Sequence, residues 1–335
     1  MGKIVEYYKY DLRRVMYPLA YHGAQKAGPF FEGWYFKMIS ADGKQRISII
    51  SGIYTGKEAV DSHSFIQVMD GVDGSSRYIR YPASDFCFPP KKMDISIAGN
   101  KFSRDKIVLN IQTKEIDVSG EVLFGELSGW PVRFFSPGVM GWYAWVPGME
   151  CYHGIASMDH QLDGSIRLDK RVMDFTGGRG YIEKDWGRAM PRAWIWMQSN
   201  HFGRAETGVS ISIAEIPWEK RSFDGFLAGF LFDGKLYRFT TYTGARIKGL
   251  SVTGKEIQFS IEDRTKKIYV SAKRAQGINL QAPTVVQMDR RIMETLSAEI
   301  GIQFLEKRDR KWNEVFSGTG KYAGLEVVGM LRTST

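Results

Sequence analysis

The chain has 335 residues, 43% of them hydrophobic and 25% charged, a balance that supports a packed core and excludes an intrinsically disordered protein. Its apolar runs are short and interrupted, well under the about 20 residues a membrane-spanning helix needs. The formal net charge of +9 is scattered in pairs such as Lys91-Lys92 and Arg290-Arg291, which argues against sequence reading of nucleic acid and fits weak attraction to an anionic lipid surface.

In chain order, the opening MGKIVEYYKYDLRRVMYP lacks the apolar stretch and cleavage site of a secretory signal, and Glu6 stands where myristoylation wants Ser or Thr. A cytoplasmic location is therefore expected, with residues 1–27 as an N-terminal extension. From there the sequence breaks into short β-branched and aromatic runs separated by turn signals: SADGKQ, MDGVDG, QLDGSI, FDGKL and EDRTKK. Thr284 to Ala298 is the best helical candidate, but its apolar residues hold no clean 3.6 period, so it reads as a loop running into a strand. Cys87 and Cys151 have no CxxC spacing and read as buried free thiols.

The chain also repeats itself. GWYFK and AWIWM place Trp34 opposite Trp194, Ile97 to Lys114 resembles Val252 to Lys273, and Val172 to Glu183 resembles Asn313 to Glu326. Each half reads as a meander of about eight strands, the number that closes into a barrel able to hold one small ligand. The expected fold is all-β: two lipocalin-like antiparallel barrels or meanders packed together, over residues 28–187 and 188–335. One continuous sandwich is the alternative.

Several tempting motifs fail. GFLFDGKL (Gly229 to Leu236) nearly matches a phosphate-binding loop, but Leu236 replaces the magnesium-binding hydroxyl and its DG reads as a hairpin turn. GGRG and GTGKYAG precede strands and read as tight turns. His153 and His160 are an odd number of residues apart, so on one strand they face opposite ways; Cys151 and His153 share a face without a nearby third ligand. No metal and no cofactor is expected, and no HExxH or GxSxG motif points to hydrolysis.

The densest chemistry lies in GGRGYIEKDWGRAMPRAWIWMQSNHF. Strand alternation puts Tyr181, Glu183 and Asp185 on one face and Ile182, Lys184 and Trp186 on the other. Trp194, Trp196, Gln198 and Asn200 then share a face of rings and amides, as do Glu32, Trp34 and Phe36 in FFEGWYFK, with Tyr35 and Lys37 opposed. Rings with a few fixed polar groups suit a lipophilic ligand site. The apolar Ser136 to Gly154 segment, broken by Pro and Gly, reads as a lid.

Five stretches carry a resemblance to a known family: FEGWYFK, SHSFIQVMDG, PGMECYHGIASMDHQLDG, DFTGGRGYIEKDWG and PRAWIWMQSNHF together resemble the tocopherol cyclases over about residues 28 to 330. The EKDWG segment is similar, more distantly, to the carotenoid hydratase and AttH-like superfamily of paired lipocalin-like barrels. The resemblance implies an isomerase-class enzyme without cofactor, in which an alkene of a prenylated quinol is protonated and the phenol oxygen captures the cation. A buried carboxylic acid can supply that proton, and Asp185, Glu183 and Glu32 are the candidates, Asp185 first because the superfamily resemblance puts an acid there. Trp34, Trp186, Trp194 and Trp196 would face the cation. His63 and His153, or Gln198 and Asn200, would hold and deprotonate the phenol, and Tyr35 joins the binding set.

If β geometry stays regular, Asp185 and Trp186 cannot enter one hollow, so a bulge near Gly187 is expected. Two other readings fit the same residues: a hydratase or pericyclic enzyme on this fold, and a non-catalytic carrier of a hydrophobic small molecule. In each the partner is a hydrophobic isoprenoid-like ligand, with peripheral contact to an anionic membrane and no nucleic acid.

Overall fold

The computed structural model describes residues 15–24, 26, 28–218, 221–284 and 287–331. Glu6 and the rest of residues 1–14 of the expected extension lie outside the described residues. The strands in chain order are β1 (Phe30–Ile39), β2 (Arg46–Thr55), β3 (His63–Asp70), β4 (Ser75–Pro82), β5 (Phe86–Cys87), β6 (Asp94–Ile97) and β7 (Asn100–Ser103). They continue with β8 (Lys106–Gln112), β9 (Asp117–Phe124), β10 (Val132–Arg133), β11 (Ser136–Pro137), β12 (Cys151–Leu168), β13 (Arg171–Asp174) and β14 (Arg179–Gly187). The remainder are β15 (Trp194–Ser199), β16 (Gly208–Trp218), β17 (Arg221–Phe232), β18 (Lys235–Thr240), β19 (Arg246–Val252), β20 (Glu256–Glu262) and β21 (Lys266–Lys273). Last come β22 (Ile278–Ala282), β23 (Arg290–Arg308) and β24 (Lys311–Val328).

The chain divides into two compact units: residues up to Met190 with Leu280–Arg291, and Pro191–Asn279 with Ile292 onward. The first holds a 12-stranded sheet in the order β4-β3-β2-β1-β14-β12-β9-β8-β7-β6-β5, with β13 beside β12. The second holds a 10-stranded sheet in the order β18-β17-β16-β15-β24-β23-β21-β20-β19, with β22 beside β23. The nine strands of the second path match the first nine of the first in order, β1 with β15 and β14 with β24, so the repeat is structural, and β6 and β5 extend the first beyond it. By place in the path, β8 matches β20 and β9 matches β21, one strand away from the pairing of β7 with β20 and β8 with β21 that the sequence likeness suggests. Both sheets are antiparallel and lipocalin-like meanders, but among the described residues each ladder is an open path with more strands than eight.

Turn chemistry accounts for most strand ends. Gly43, Gly74 and Gly234 adopt φ of 71°, 77° and 70° in the DG turns, so GFLFDGKL is the β17–β18 hairpin. QLDGSI does not turn: Gly164 lies inside β12 with φ 125°, and a Cβ there would sit 2.3 Å from the Glu121 carbonyl of β9. Only glycine allows that approach. Long β12 shifts register between Ile155 and Ser157 and again before His160, and so serves β14 with its first half and β9 and β13 with its second.

In the second unit Ile195 and Met197 point into a core with Phe230, Phe239, Ile302 and Phe304. Both cysteines are free, but Cys87 is exposed because its neighbour Phe86 takes the inward place of the two-residue β5. Among the described residues no helix is long and apolar enough to cross a membrane.

Candidate active site

Three neighbouring strands, β1, β14 and β12, build the site. The β1–β14 register runs unbroken from Ile39–Arg179 to Phe31–Gly187, so no bulge forms near Gly187 and Asp185 and Trp186 keep opposite faces. Register then sorts the nominated residues into two groups. Glu32, Trp34, Lys184, Trp186 and Tyr152 share one face; Tyr35, Lys37, Tyr181, Glu183, Asp185 and His153 share the other.

On the first face the Lys184 ammonium is fully buried 2.6 Å from Glu32 Oε1. It donates to the carbonyls of Pro18 and Ala20 at 2.9 and 2.5 Å and lies over the Trp34 and Trp186 rings at 4.9 and 4.4 Å. The backbone N–H of His22 donates to Glu32, and the Trp34 indole N–H donates to the Leu19 carbonyl. Burial drags the Lys184 pKa down to about 8 against the pull of Glu32. For Glu32, burial acts upward, but Lys184 and His22 outweigh it and hold the carboxyl below its usual range. The two indoles therefore face a cation, as the sequence suggests for a substrate, but the cation is the protein's own.

On the second face His153 Nδ1 lies 2.9 Å from Asp185 Oδ1 and Nε2 lies 3.6 Å from Glu183 Oε2. The Tyr181 hydroxyl donates to that same Glu183 oxygen at 2.5 Å. His153 and Glu183 are buried, while the Asp185 side chain is 28% exposed. Burial alone would lower the His153 pKa; Asp185 and Glu183 overcome it and raise it to about 9. Burial and the nearby carboxylates push the Cys151 thiol well up, so it is a neutral neighbour with Sγ 4.0 Å from Asp185.

Beside this group lies an aromatic wall on the same face: Phe31, Tyr54, Phe65 and Met288 form one buried cluster, with Cys151 and Tyr78 packed against it. Met288 arrives from the Leu280–Arg291 segment, pinned where the Gln281 N–H donates to Gln67 Oε1 at 2.9 Å. Gly33 and Gly52 face each other across β1 and β2, and Phe65 lies over that bare spot, 2.7 Å from where a Cβ of Gly52 would be.

At the Tyr78 edge, His63 Nδ1 sits 3.0 Å from the Asp61 carbonyl and so must donate to it, which leaves Nε2 to accept from the Tyr78 hydroxyl at 2.7 Å. Burial lowers the His63 pKa, so the imidazole is neutral. Tyr78, stacked on Phe65 at 5.1 Å, is the residue that sequence reasoning missed; nothing in SSRYIRYP marks it. His160 faces away from the cluster and is neutral, burial lowering its pKa to about 3.

In the second unit, Trp194, Trp196 and Gln198 are buried on the face of β15 opposite the Ile195–Met197 core, with Asn200 just past the strand. The Trp194 indole donates to Glu326 at 2.6 Å. A separate groove of about 670 Å³ crosses β19 to β24 in that unit. Gln258, Ser260, Tyr269, Gln303 and Ser317 are among its lining, which includes no carboxylate, imidazole or thiol, so the chemistry points to the first unit instead. The Ser136–Gly154 segment folds against the residues just before it: β11 pairs with β10, a 3-10 turn spans Gly141–Trp145, the Trp145 indole donates to the Phe134 carbonyl at 3.1 Å, and Cys151–Gly154 already belong to β12.

Known proteins resemble the chain in sequence or in fold. The family model described as Tocopherol cyclase-like matches residues 124–329. The chain belongs to that family. Of curated proteins, the probable chloroplastic tocopherol cyclase of Oryza sativa subsp. japonica is 28% identical over 235 residues, 68% of this chain and 49% of that protein. The chain thus spans about half the length of the curated relatives it matches. Among solved structures, CghA with Sch210972 superimposes with a TM-score of 0.56 at 11% identity, covering 90% of this chain and 89% of that one. Kievitone hydratase from Nectria haematococca gives 0.50 at 13% identity over 90% and 89%. At such identities the likeness concerns the fold. Within the tocopherol cyclase-like segment fall β12, β14 and β15, and therefore His153, Glu183, Asp185 and the β15 tryptophans.

Proposed function

We propose that the chain is a cofactor-independent cyclase that closes a ring in a prenylated quinol or a related isoprenoid or polyene lipid. The observation that carries this reading is the placement of two proton-handling groups along one aromatic wall: His153 with Asp185 and Glu183 beside Cys151, and neutral His63 with Tyr78 at the other edge. Family membership supports the reaction class. The His153 imidazolium and the Asp185 carboxylate hold one proton between them across the 2.9 Å hydrogen bond, and Asp185 passes that proton to the alkene. The proton adds to the less substituted alkene carbon, the tertiary cation rests against the faces of Phe31 and Phe65, and the phenol oxygen closes the C–O bond. The phenolic proton leaves through Tyr78 to His63 Nε2, so atoms and charge balance.

Glu32 and Lys184 hold the other face of the sheet together. Trp194, Trp196, Gln198 and Asn200 give the second unit a buried ring-and-amide face suited to a lipophilic ligand with a polar head. One observation favours a second reading: with its side chain 28% exposed, Asp185 is within reach of water, which would capture the same cation in a hydration. Product mass decides. Incubating the chain with prenylated quinols is expected to give a product of unchanged mass that has lost a free phenol; a gain of one water marks a hydratase, and no product with any lipid it binds marks a carrier.

We also propose peripheral contact with anionic membrane through the exposed tip that carries Phe134, Phe135 and Trp142, with Arg133 beside it, the side chains being 54%, 87% and 47% exposed for the three rings. The expected result is flotation with anionic liposomes at low salt that weakens in a Phe134→Ser, Phe135→Ser variant. Equal flotation of the two proteins refutes this contact.

A further inference from the structure

We propose that His153 Nε2 and the Glu183 carboxylate, with Asp185 orienting the imidazole from its other nitrogen, form a binding site for a divalent transition-metal ion, and that the ion silences the site by displacing the proton that the imidazole would otherwise supply. The silencing half rests on the cyclase reading; the binding half does not. Donor atoms of the three side chains all lie within 4.8 Å of one another. They come from paired strands with an unbroken register here, His153 opposite Asp185 and Glu183 two residues along, so the arrangement is held by the sheet and not by a loop.

A second observation points to a ligand. The His153 side chain is buried, and its Nε2 has no hydrogen-bond partner among the described residues although it is aimed at Glu183, 3.6 Å from Oε2. A buried imidazole nitrogen without a hydrogen-bond partner is unfavourable unless something occupies it. Its other nitrogen is held by Asp185 at 2.9 Å, the outer carboxylate arrangement that orients metal-bound imidazoles. Tyr181 in turn fixes the Glu183 carboxylate. Imidazole nitrogen with carboxylate oxygen suits zinc, cobalt or manganese; calcium asks for six to eight oxygens, which these three side chains do not offer.

The 335-residue chain stripped with chelator and titrated with Zn²⁺ in a calorimeter, and with Co²⁺ in a spectrophotometer, tests the site. We expect one ion per chain and a visible Co²⁺ spectrum without a thiolate band. Affinity should fall at least tenfold in His153→Gln and Glu183→Gln, by about 10- to 100-fold in Asp185→Asn, and stay unchanged in Cys87→Ser. Absence of saturable binding, a thiolate band, or unchanged affinity in Glu183→Gln overturns the site; Glu183→Gln decides alone if His153→Gln does not fold. In a turnover assay Zn²⁺ should abolish product formation in step with site occupancy. Undiminished turnover at full occupancy overturns the silencing half, whereas a parent protein that turns over no lipid at all refutes the cyclase reading and leaves the titration to judge the site.

Discussion

Asp185→Asn is expected to lower turnover of the lipid substrate by about 10²- to 10⁴-fold while leaving its binding within a few-fold of the parent. Asparagine keeps the shape of the side chain and can still accept from His153 Nδ1, now 2.9 Å from an oxygen of Asp185, but it cannot deliver a proton. Because the Asp185 side chain is 28% exposed, the exchange costs the fold little, and a lost reaction cannot be put down to unfolding. The kinetic signature is a fall in kcat with KM almost unchanged, that of an interaction made in the transition state. Glu183→Gln is the comparison. Glutamine there still meets the Tyr181 hydroxyl, so a larger loss in that variant than in Asp185→Asn moves the donor two residues along the strand, to Glu183. If both variants bind the lipid less well and the parent has no turnover, the carrier reading stands.

The difference between these two acids and Glu32 was only partly open to sequence reasoning. Alternation assigns Glu183 and Asp185 to one face of β14 and Lys184 and Trp186 to the other, and since β14 stays regular the assignment holds in the structure. Alternation says nothing about which strand lies alongside. The meeting of His153 with Asp185 depends on β12 pairing with β14 across 32 residues of chain, and β12 runs through its own DG dipeptide, where the local turn signal predicts a break. The carboxylates that meet His153 lie on the neighbouring strand, where alternation along β12 itself gives no sign of them. The partners of Glu32 were hidden for another reason: Pro18, Ala20 and His22 belong to a stretch with no strand period, set apart as an extension, yet their carbonyls and amide close over Lys184 and Glu32. Tyr78 had no local signal, and only its alignment with Gln67 across β3 and β4 brings it to the aromatic wall.

Removing one member of the Glu32–Lys184 pair should be the most destabilising single change in the first unit, about 3–5 kcal/mol for Glu32→Gln or Lys184→Met, read as a shift in the denaturant midpoint. Both side chains are wholly buried 2.6 Å apart, so either substitution strands a charge in a dry interior: Lys184 keeps the indole faces, two carbonyls and His22 Nδ1, and Glu32 keeps the His22 backbone N–H. The double variant should recover much of that loss, because it removes the stranded charge along with its partner. Acid should act like Glu32→Gln. The Glu32 carboxyl is held below its ordinary 4.5, so its stabilisation is complete above that pH and disappears as pH falls through the folded-state value, when the unfolded chain has already taken up the proton. Lys184 runs the other way: with a folded value of about 8 against an ordinary 10.5, its burial cost is in full force below pH 8 and is relieved as pH climbs toward 10.5. Parent stability should thus drop on acidification below pH 4.5, and Glu32→Gln should flatten that limb. An unaltered acid limb in Glu32→Gln, or a double variant no more stable than Lys184→Met, would show that the pair does not hold the segment from Pro18 to His22 against the sheet.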